Sequence, residues 1–307
     1  MSFGSMVKNE ITKLDTSKSE SIAELSAFIR NNANINENIN MYTENPSIAR
    51  RIFKLVKDNY NVNSTIEMTQ KKVLNKKHVY LIVIKENVKE ILLDLSIIDK
   101  NNNHLNLPKE YIVSDDEQII GYLRGIFLSG GSVNDPKTSR YHLELSVNNK
   151  EHAEYIKSLL NNYNLNSRMI GRKKGYVIYI KEAEKISDFL RMIKAFNAVM
   201  YFEDIRIYRD QKNMINRFNN CDQANVEKTI NSAKKQVEDI MTIKNSIGLE
   251  MLDDKLRETC EYRLKYPESS LRELGEIISL ETNNKVSKSG LNHRFRKIKE
   301  ISEKMKK

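Results

Sequence analysis

The sequence predicts an α+β protein in which a repeated arrangement of helices and antiparallel strands precedes an all-α region. Over residues 1–203 the apolar spacing follows one order twice: helix, two strands, helix, two strands, helix. The two halves cover about 1–100 and 114–203. Beyond them the strand pattern is lost, because residues 204–246 carry one helix-spaced apolar stripe and residues 247–307 read as three shorter helices. We therefore expect a repeat domain, a helical linker and a C-terminal helical domain.

The first half is read from apolar spacing and turn residues. Residues 1–31 predict two helices, the second containing SIAELSAFIRNN. In NINENINMYTEN, Ile35, Ile39 and Met41 alternate with asparagines, which predicts a strand. A helix then begins at Pro46, a favoured first helical residue. NSTIEMTQKKVL and KHVYLIVIK predict two strands, and VKEILLDLSII predicts a helix.

The second half begins near Ser114 with a helix that ends at two consecutive glycines. SVNDPKTSRYHLELSV predicts a hairpin, with Leu143, Leu145 and Val147 on its apolar face. KEHAEYIKSLLNNY predicts a helix, NSRMIGRKKGYVIYI a second hairpin, and AEKISDFLRMI a last helix. The order of the first half is thus repeated.

Composition favours a polyanionic partner. The net charge is +10 and the isoelectric point about 9.3, which suits nucleic acid or an acidic membrane surface. No stretch approaches the roughly 20 apolar residues of a membrane span, so we expect no membrane partner and a cytoplasmic protein. Cys221 and Cys260 show neither disulfide-framework nor zinc spacing. We predict that the protein holds no metal or cofactor. We also predict that Cys221 is a small buried side chain and not a nucleophile.

Two nine-residue segments, 98 residues apart, share a pattern of small residues. LSAFIRNNA, residues 25–33, and LRGIFLSGG, residues 123–131, begin with Leu, carry a small residue at the third position (Ala27 and Gly125) and end small. Both resemble the LAGLIDADG motif of homing endonucleases. The resemblance implies two motif helices that cross tightly at a pseudo-twofold axis, and two antiparallel sheets shaped as a saddle for DNA.

The resemblance fails at the residues that would carry catalysis. In that family the penultimate motif position is an acid that holds a divalent metal, whereas this sequence has Asn32 and Gly130. We therefore predict the scaffold without nuclease activity. The alternative is a metal-dependent endonuclease in which Asp135 or Glu117 replaces the lost acids. A third hypothesis is an interaction protein whose repeat domain binds another protein.

Two basic segments are candidate secondary contacts with DNA. One lies in the predicted hairpin after residue 167, and the other interleaves with aromatic residues after residue 203. Their members are Arg168, Arg172, Lys173, Lys174, Arg206, Arg209, Lys212 and Arg217. Such side chains suit phosphate contacts, although a solvated turn or simple core anchoring explains them as well.

The last three predicted helices have the order of a helix-turn-helix motif. Ser269 or Ser270 can cap the second helix, and Ser287 the third. Residues 287–307 carry eight Lys or Arg against two Glu, a net charge of +6. In such motifs the last helix enters the major groove. The predicted DNA-binding residues are Ser287, Lys288, Ser289, Asn292, His293, Arg294, Arg296 and Lys297.

Taken together, the motifs resemble one family along nearly the whole chain. RDQKNMINRFNNCDQANVEKTINSA, SLRELGEII and SKSGLNHRFRKI, with the degenerate motif region, are similar to the WhiA family of bacterial regulators of sporulation and cell division. The resemblance implies a non-enzymatic protein that binds double-stranded DNA at specific sequences, regulates transcription, acts in division and chromosome segregation, and associates with the nucleoid. It places DNA reading on the helix from Ser287, supported by residues 270–279.

Overall fold

A computed structural model describes residues 2–70, 78–138 and 140–306. The chain forms two compact units, Met1–Arg209 and Asp210–Lys307. One continuous helix, α8 (Phe196–Ser246), contributes residues to both. The predicted linker is therefore part of a longer helix, which begins before the predicted end of the repeat.

The first half of the first unit contains four helices and four strands. They are α1 (Phe3–Ile11), α2 (Lys18–Asn32), β1 (Asn34–Ile35), β2 (Ile39–Thr43), α3 (Pro46–Tyr60), β3 (Thr65–Gln70), β4 (His78–Ile84) and α4 (Val88–Asp94). The strand predicted after α2 is instead a tight hairpin of β1 and β2, closed by a hydrogen bond from Asn36 N to Asn38 O (3.1 Å). The predicted strand before β4 extends into residues 71–77, which lie outside the described residues.

The second half repeats this order after a 3₁₀ turn at Glu110–Ile112. Its elements are α5 (Asp116–Gly130), β5 (Gly131–Val133), β6 (Leu143–Val147), α6 (Lys150–Asn162), β7 (Arg168–Arg172), β8 (Gly175–Ile180) and α7 (Ala183–Met192). The predicted hairpin of β5 and β6 includes residue 139, which lies outside the described residues.

The two halves build matching antiparallel sheets. Their strand orders are β1-β2-β4-β3 and β5-β6-β8-β7. The inward side chains of the two sheets join one apolar core; Met41 and Ile82 face each other in the first sheet, Leu145 and Ile178 in the second. The predicted repeat and the α+β fold class are confirmed.

The motif helices α2 and α5 cross at backbone contact. A Cβ atom on Gly121 would lie 2.5 Å from the carbonyl oxygen of Glu20. A Cβ atom on Gly125 would lie 2.8 Å from Ala27 Cβ and would meet the carbonyl oxygen of Glu24. Only glycine fits at these two positions of α5, because any side chain would push the helices apart.

A buried ionic network ties this crossing together. Arg124 of α5 donates to Glu24 Oε2 (2.7 Å) and Glu20 Oε1 (2.8 Å), both on α2. Arg51 of α3 binds Glu24 through two nitrogens at 2.9 and 3.0 Å. Lys194 Nζ lies 3.0 Å from Glu20 Oε1. Burial acts to raise the pKa of Glu20, but Lys194 and Arg124 outweigh it and hold that pKa below its ordinary value.

The second unit packs three short helices against the end of α8. They are α9 (Asp254–Lys265), α10 (Leu271–Thr282) and α11 (Lys288–Met305), with a 3₁₀ turn at Leu249–Met251 before them. Their buried apolar residues form a core separate from that of the first unit. Its members are Ile240, Ile243, Leu249, Leu252, Leu256, Cys260, Leu274, Ile278, Leu291, Phe295 and Ile298.

The tight crossing predicts the effect of one methyl group. Overpacking of this kind costs about 1–3 kcal/mol, and alanine regains at most about 1 kcal/mol of helix propensity. We expect Gly125→Ala to lower the free energy of unfolding measured with urea. In the matched control, Gly171→Ala, the new Cβ would meet only the Tyr176 ring, at 3.8 Å. Equal stability of both variants would contradict the close crossing.

Candidate nucleic-acid interface

The helix pair α10–α11 is fixed by its caps and by one serine. Ser270 caps α10 in a reciprocal capping box with Glu273, and Ser287 caps α11 by accepting from Gly290 N. Ser279 Oγ donates to Gly275 O (2.6 Å) and accepts from Val286 N (2.8 Å). The turn between the helices is therefore bonded to α10, which sets the direction in which α11 begins.

A row of polar and cationic side chains lies exposed on the N-terminal half of α11. Seven of the eight residues predicted to bind DNA are exposed: Ser287, Lys288, Ser289, Asn292, His293, Arg296 and Lys297. Leu291, Phe295 and Ile298 point the other way, into the core. Helical spacing thus divides the apolar anchor from a polar face that can reach a base edge or a phosphate.

Arg294 differs from the other seven predicted residues. Its Nη1 lies 3.3 Å from Glu258 Oε2 and 3.1 Å from Thr259 Oγ1, both on α9. Its side chain is only 19% exposed. Arg294 therefore braces α11 against α9, and the exposed face consists of the remaining residues.

The basic residues predicted as secondary DNA contacts also differ in whether they have an ionic partner. Arg168, Lys173 and Lys174 are exposed on β7 and the turn that follows it. Arg172 instead lies 3.0 Å from Glu144 Oε2, so this carboxylate offsets its charge. Arg172 nevertheless remains exposed as well, with 53% of its side chain accessible to solvent.

Further along the chain, two arginines serve the fold of the first unit. Arg209 donates to the carbonyl oxygens of Pro136 (2.7 Å) and Thr138 (2.5 Å) and stacks on the Tyr141 ring. Arg206 Nε lies 2.9 Å from Glu203 Oε2. In the second unit, Lys212 and Arg217 are exposed on α8.

Asn32 and Gly130, at the two motif positions where homing endonucleases have metal-binding acids, make structural contacts instead. Asn32 Oδ1 accepts from Tyr42 N (2.9 Å) and so joins the end of α2 to β2. A Cβ atom on Gly130 would lie 2.5 Å from Ser146 O, which leaves no space for a carboxylate. Among the residues that the structure describes, no group of three or more His, Cys, Asp or Glu could hold a metal ion.

The two acids of the nuclease hypothesis do not lie at the same end of α5. Glu117 is in the first turn of α5 and Gly130 is its last residue, which places them about 20 Å apart at 1.5 Å per residue. Asp135 lies in the loop after β5 and accepts from Lys137 N (2.9 Å). The geometry gives no support to a replacement metal site.

The structure also corrects the environment of one cysteine and adds an arginine. Cys221 is exposed on α8 rather than buried, while Cys260 is buried and its pKa is raised to about 12 by burial. Arg263, which is not predicted from the sequence as a site residue, is among the largest fully buried side chains of the described residues. A sequence signal for its burial exists, because Arg263 falls on the same helical stripe of α9 as the buried Leu256 and Cys260.

Among the described helices, none is both long and apolar enough to cross a membrane. One unit carries the exposed face of α11, and the other has the crossing of the motif helices without acids at the two motif positions. Together they define a protein with a degenerate LAGLIDADG-like fold and a helix-turn-helix region.

Comparison with known proteins gives the same result along the chain. Three family descriptions match in succession: the WhiA N-terminal LAGLIDADG-like domain at 18–98, the WhiA LAGLIDADG-like domain at 119–212 and the WhiA C-terminal HTH domain at 215–302. The chain belongs to the WhiA family.

Relatives and a solved structure extend over the full length. A protein of Enterococcus faecalis named "Probable cell division protein WhiA" is 45% identical, covering 100% of this chain and 99% of its own. One of the same name from Staphylococcus haemolyticus is 46% identical, with 100% and 98% covered. Full-length DUF199/WhiA from Thermatoga maritima shares the fold with a TM-score of 0.60, 26% identity and 99% of each chain covered.

The crowding at Gly130 predicts that acids cannot simply be restored. We expect the double variant Asn32→Asp, Gly130→Asp to melt at a lower temperature than wild type, because a side chain at residue 130 must displace the Ser146 carbonyl. Neither protein should cut duplex DNA with Mg²⁺. Asn32→Asp alone keeps an acceptor oxygen for Tyr42 N and serves as the control for folding. Magnesium-dependent cleavage by the wild-type chain would restore the nuclease hypothesis.

Proposed function

We propose that this protein is a sequence-specific DNA-binding regulator that reads duplex DNA with the N-terminal half of α11. The observation that carries the proposal is the exposed polar face of α11, held by a turn that Ser279 bonds to α10. In a helix-turn-helix the second helix of the pair lies in the major groove and its N-terminal residues contact base edges. The remaining residues of the unit position that helix.

The side chains of this face suit distinct parts of DNA. Asn292 can bind adenine through two hydrogen bonds, and Arg296 can bind guanine in the same way. Ser287, Lys288 and Ser289 lie at the start of α11, where hydroxyl and ammonium groups suit phosphates. Arg294 is assigned to positioning, because its partners lie on α9.

Phosphate contacts are expected to dominate the affinity. The chain has a net charge of +10, and each phosphate neutralised by Lys or Arg releases condensed counterions. Binding should therefore weaken steeply with salt. Arg168, Lys173, Lys174, Lys212 and Arg217 are the exposed candidates for further phosphate contacts.

We assign the repeat unit a scaffold role without catalysis. Asn32 and Gly130 replace the acids, and Gly130 has no space for a side chain. The strands of the first sheet contain no Lys or Arg among their described residues, whereas β7 contains two Arg. Among the described strand residues, the arginines of β7 support contacts with DNA on the second sheet, and the exposed Tyr42 of the first sheet suits a protein partner.

The biological setting follows from the family. The relatives above carry the name of a probable cell division protein, and we extend that role to this chain as a transcriptional regulator. Chromosome segregation and a cytoplasmic location at the nucleoid belong to the same proposal.

The proposed reading face predicts a loss of affinity at two residues. We expect Asn292→Ala and Arg296→Ala each to weaken binding by about 1–3 kcal/mol if the side chain contacts a base. Affinity is measured by gel shift at moderate salt, on a duplex that the wild-type chain selects from genomic fragments. The selected sequence should lose its advantage over unrelated DNA.

Arg257→Ala is the matched control. Arg257 lies on α9 with its side chain 40% exposed and 2.7 Å from Asp254 Oδ1, and it belongs to neither α10 nor α11, so its loss should leave the affinity nearly unchanged. Wild-type affinity in both α11 variants would contradict the proposed reading face.

A further inference from the structure

A cavity of about 410 Å³, lined mostly by polar residues, lies within the second unit. Its walls come from α8, the end of α9, and the first residues of α10 and α11. The lining residues are Asn225, Lys228, Thr229, Ser232, Ala233, Gln236, Arg263, Ser269, Ser270, Leu271, Arg272 and Lys288.

The cavity wall is cationic. Four of its residues are Lys or Arg, namely Lys228, Arg263, Arg272 and Lys288, and four more carry hydroxyl groups. No Asp or Glu is among these lining residues, although Glu276 lies 3.0 Å from Arg272 Nε. The wall offers donors and positive charge, the chemistry that binds a phosphate group.

Arg263 shows that this cavity is more than a solvated basic surface. The residue is 1% exposed, and its Nη1 donates to Ser269 O (2.6 Å) and Tyr266 O (3.2 Å). Its buried Nε has no hydrogen-bond partner among the described residues. Burial of this charge lowers the pKa of Arg263. A buried guanidinium bonded to neutral carbonyls gains from an anion placed beside it.

Two helices begin at the same cavity. Ser270 and Leu271 open α10, and Lys288 is the first residue of α11. Backbone N–H groups at helix N-termini favour phosphate. The capping box already uses the N–H of Ser270 (2.8 Å to Glu273 Oε2) and that of Glu273 (3.2 Å to Ser270 Oγ), so the N–H groups of Leu271 and Arg272 are those considered at α10.

We propose that this cavity binds a backbone phosphate of the duplex that α11 reads. The inference rests on the proposed function, and Lys288 links the two, because it belongs both to the exposed face of α11 and to the cavity wall. It adds Lys228 to the residues of α8 that contact DNA. The helix that the sequence suggested as a linker then contributes to affinity but not to base choice.

The test compares two lysines of α8. Lys228→Gln removes a cavity charge, whereas Lys234→Gln removes an exposed charge of the same helix that lines no part of the cavity. Six residues place Lys234 about 120° around the helix from Lys228. Full-length proteins are titrated with the selected duplex over a range of salt concentrations, and circular dichroism melts check folding.

Affinity falls as salt rises, and we expect Lys228→Gln to make the slope of log affinity against log salt less steep by about 0.9, the value for one lost phosphate contact. Base preference should be unchanged. Lys234→Gln should keep the wild-type slope. If wild type binds duplex and Lys228→Gln keeps the wild-type slope, this inference is overturned and the proposed function stands. A wild-type chain that binds no duplex overturns the proposed function itself.

Titration with inorganic phosphate tests whether the cavity binds a small phosphate ion or a backbone phosphate of DNA. If phosphate raises the melting temperature of wild type but not of Lys228→Gln, and the DNA slope is the same in both, then the cavity serves a small phosphate and the inference is overturned. If the slope falls in Lys228→Gln and phosphate competes with duplex for wild type, the backbone assignment is supported.

Discussion

The architecture of the first unit depends on the backbone contact between α2 and α5. Gly121 and Gly125 bring α5 against the carbonyl oxygens of α2, and this closeness places Arg124 within reach of Glu20 and Glu24. Buried charges are costly unless they are paired, so the network admits one register of the two helices. Since each sheet follows its own motif helix, fixing that register also fixes how the halves meet.

Contacts of the ends of the motif helices with the sheets occupy the two positions where the family motif has acids. Catalytic acids at the ends of the motif helices need space for a carboxylate and a metal. Here the end of α5 lies against the Ser146 carbonyl, and Asn32 is bonded to β2. Polar groups that could hold a ligand are used to join helix to strand. The crossing of the motif helices therefore does not depend on acids at these two positions.

In the second unit, hydrogen bonds and an ion pair set the orientation of α11. Ser279 joins the turn to α10, Arg294 joins α11 to α9, and Arg263 holds the carbonyl of Ser269 just before the α10 cap. An apolar core alone would allow neighbouring helices to slide, because apolar contacts have no direction. These bonds give the N-terminal half of α11 a defined orientation, which base recognition requires.

The sequence by itself determined the repeat, the small residues of the motif helices, the loss of both acids and the polar face of α11, because each is a local pattern of spacing and residue type. Only the tertiary structure decided which charged side chains have partners distant in sequence. Arg294, Arg172 and Arg209, which the sequence predicts as DNA contacts, are each bonded to such a group. Arg263, Lys228 and Lys288 share one cavity for the same reason. The partner of a charged side chain is set by packing, and no spacing rule along the chain contains it.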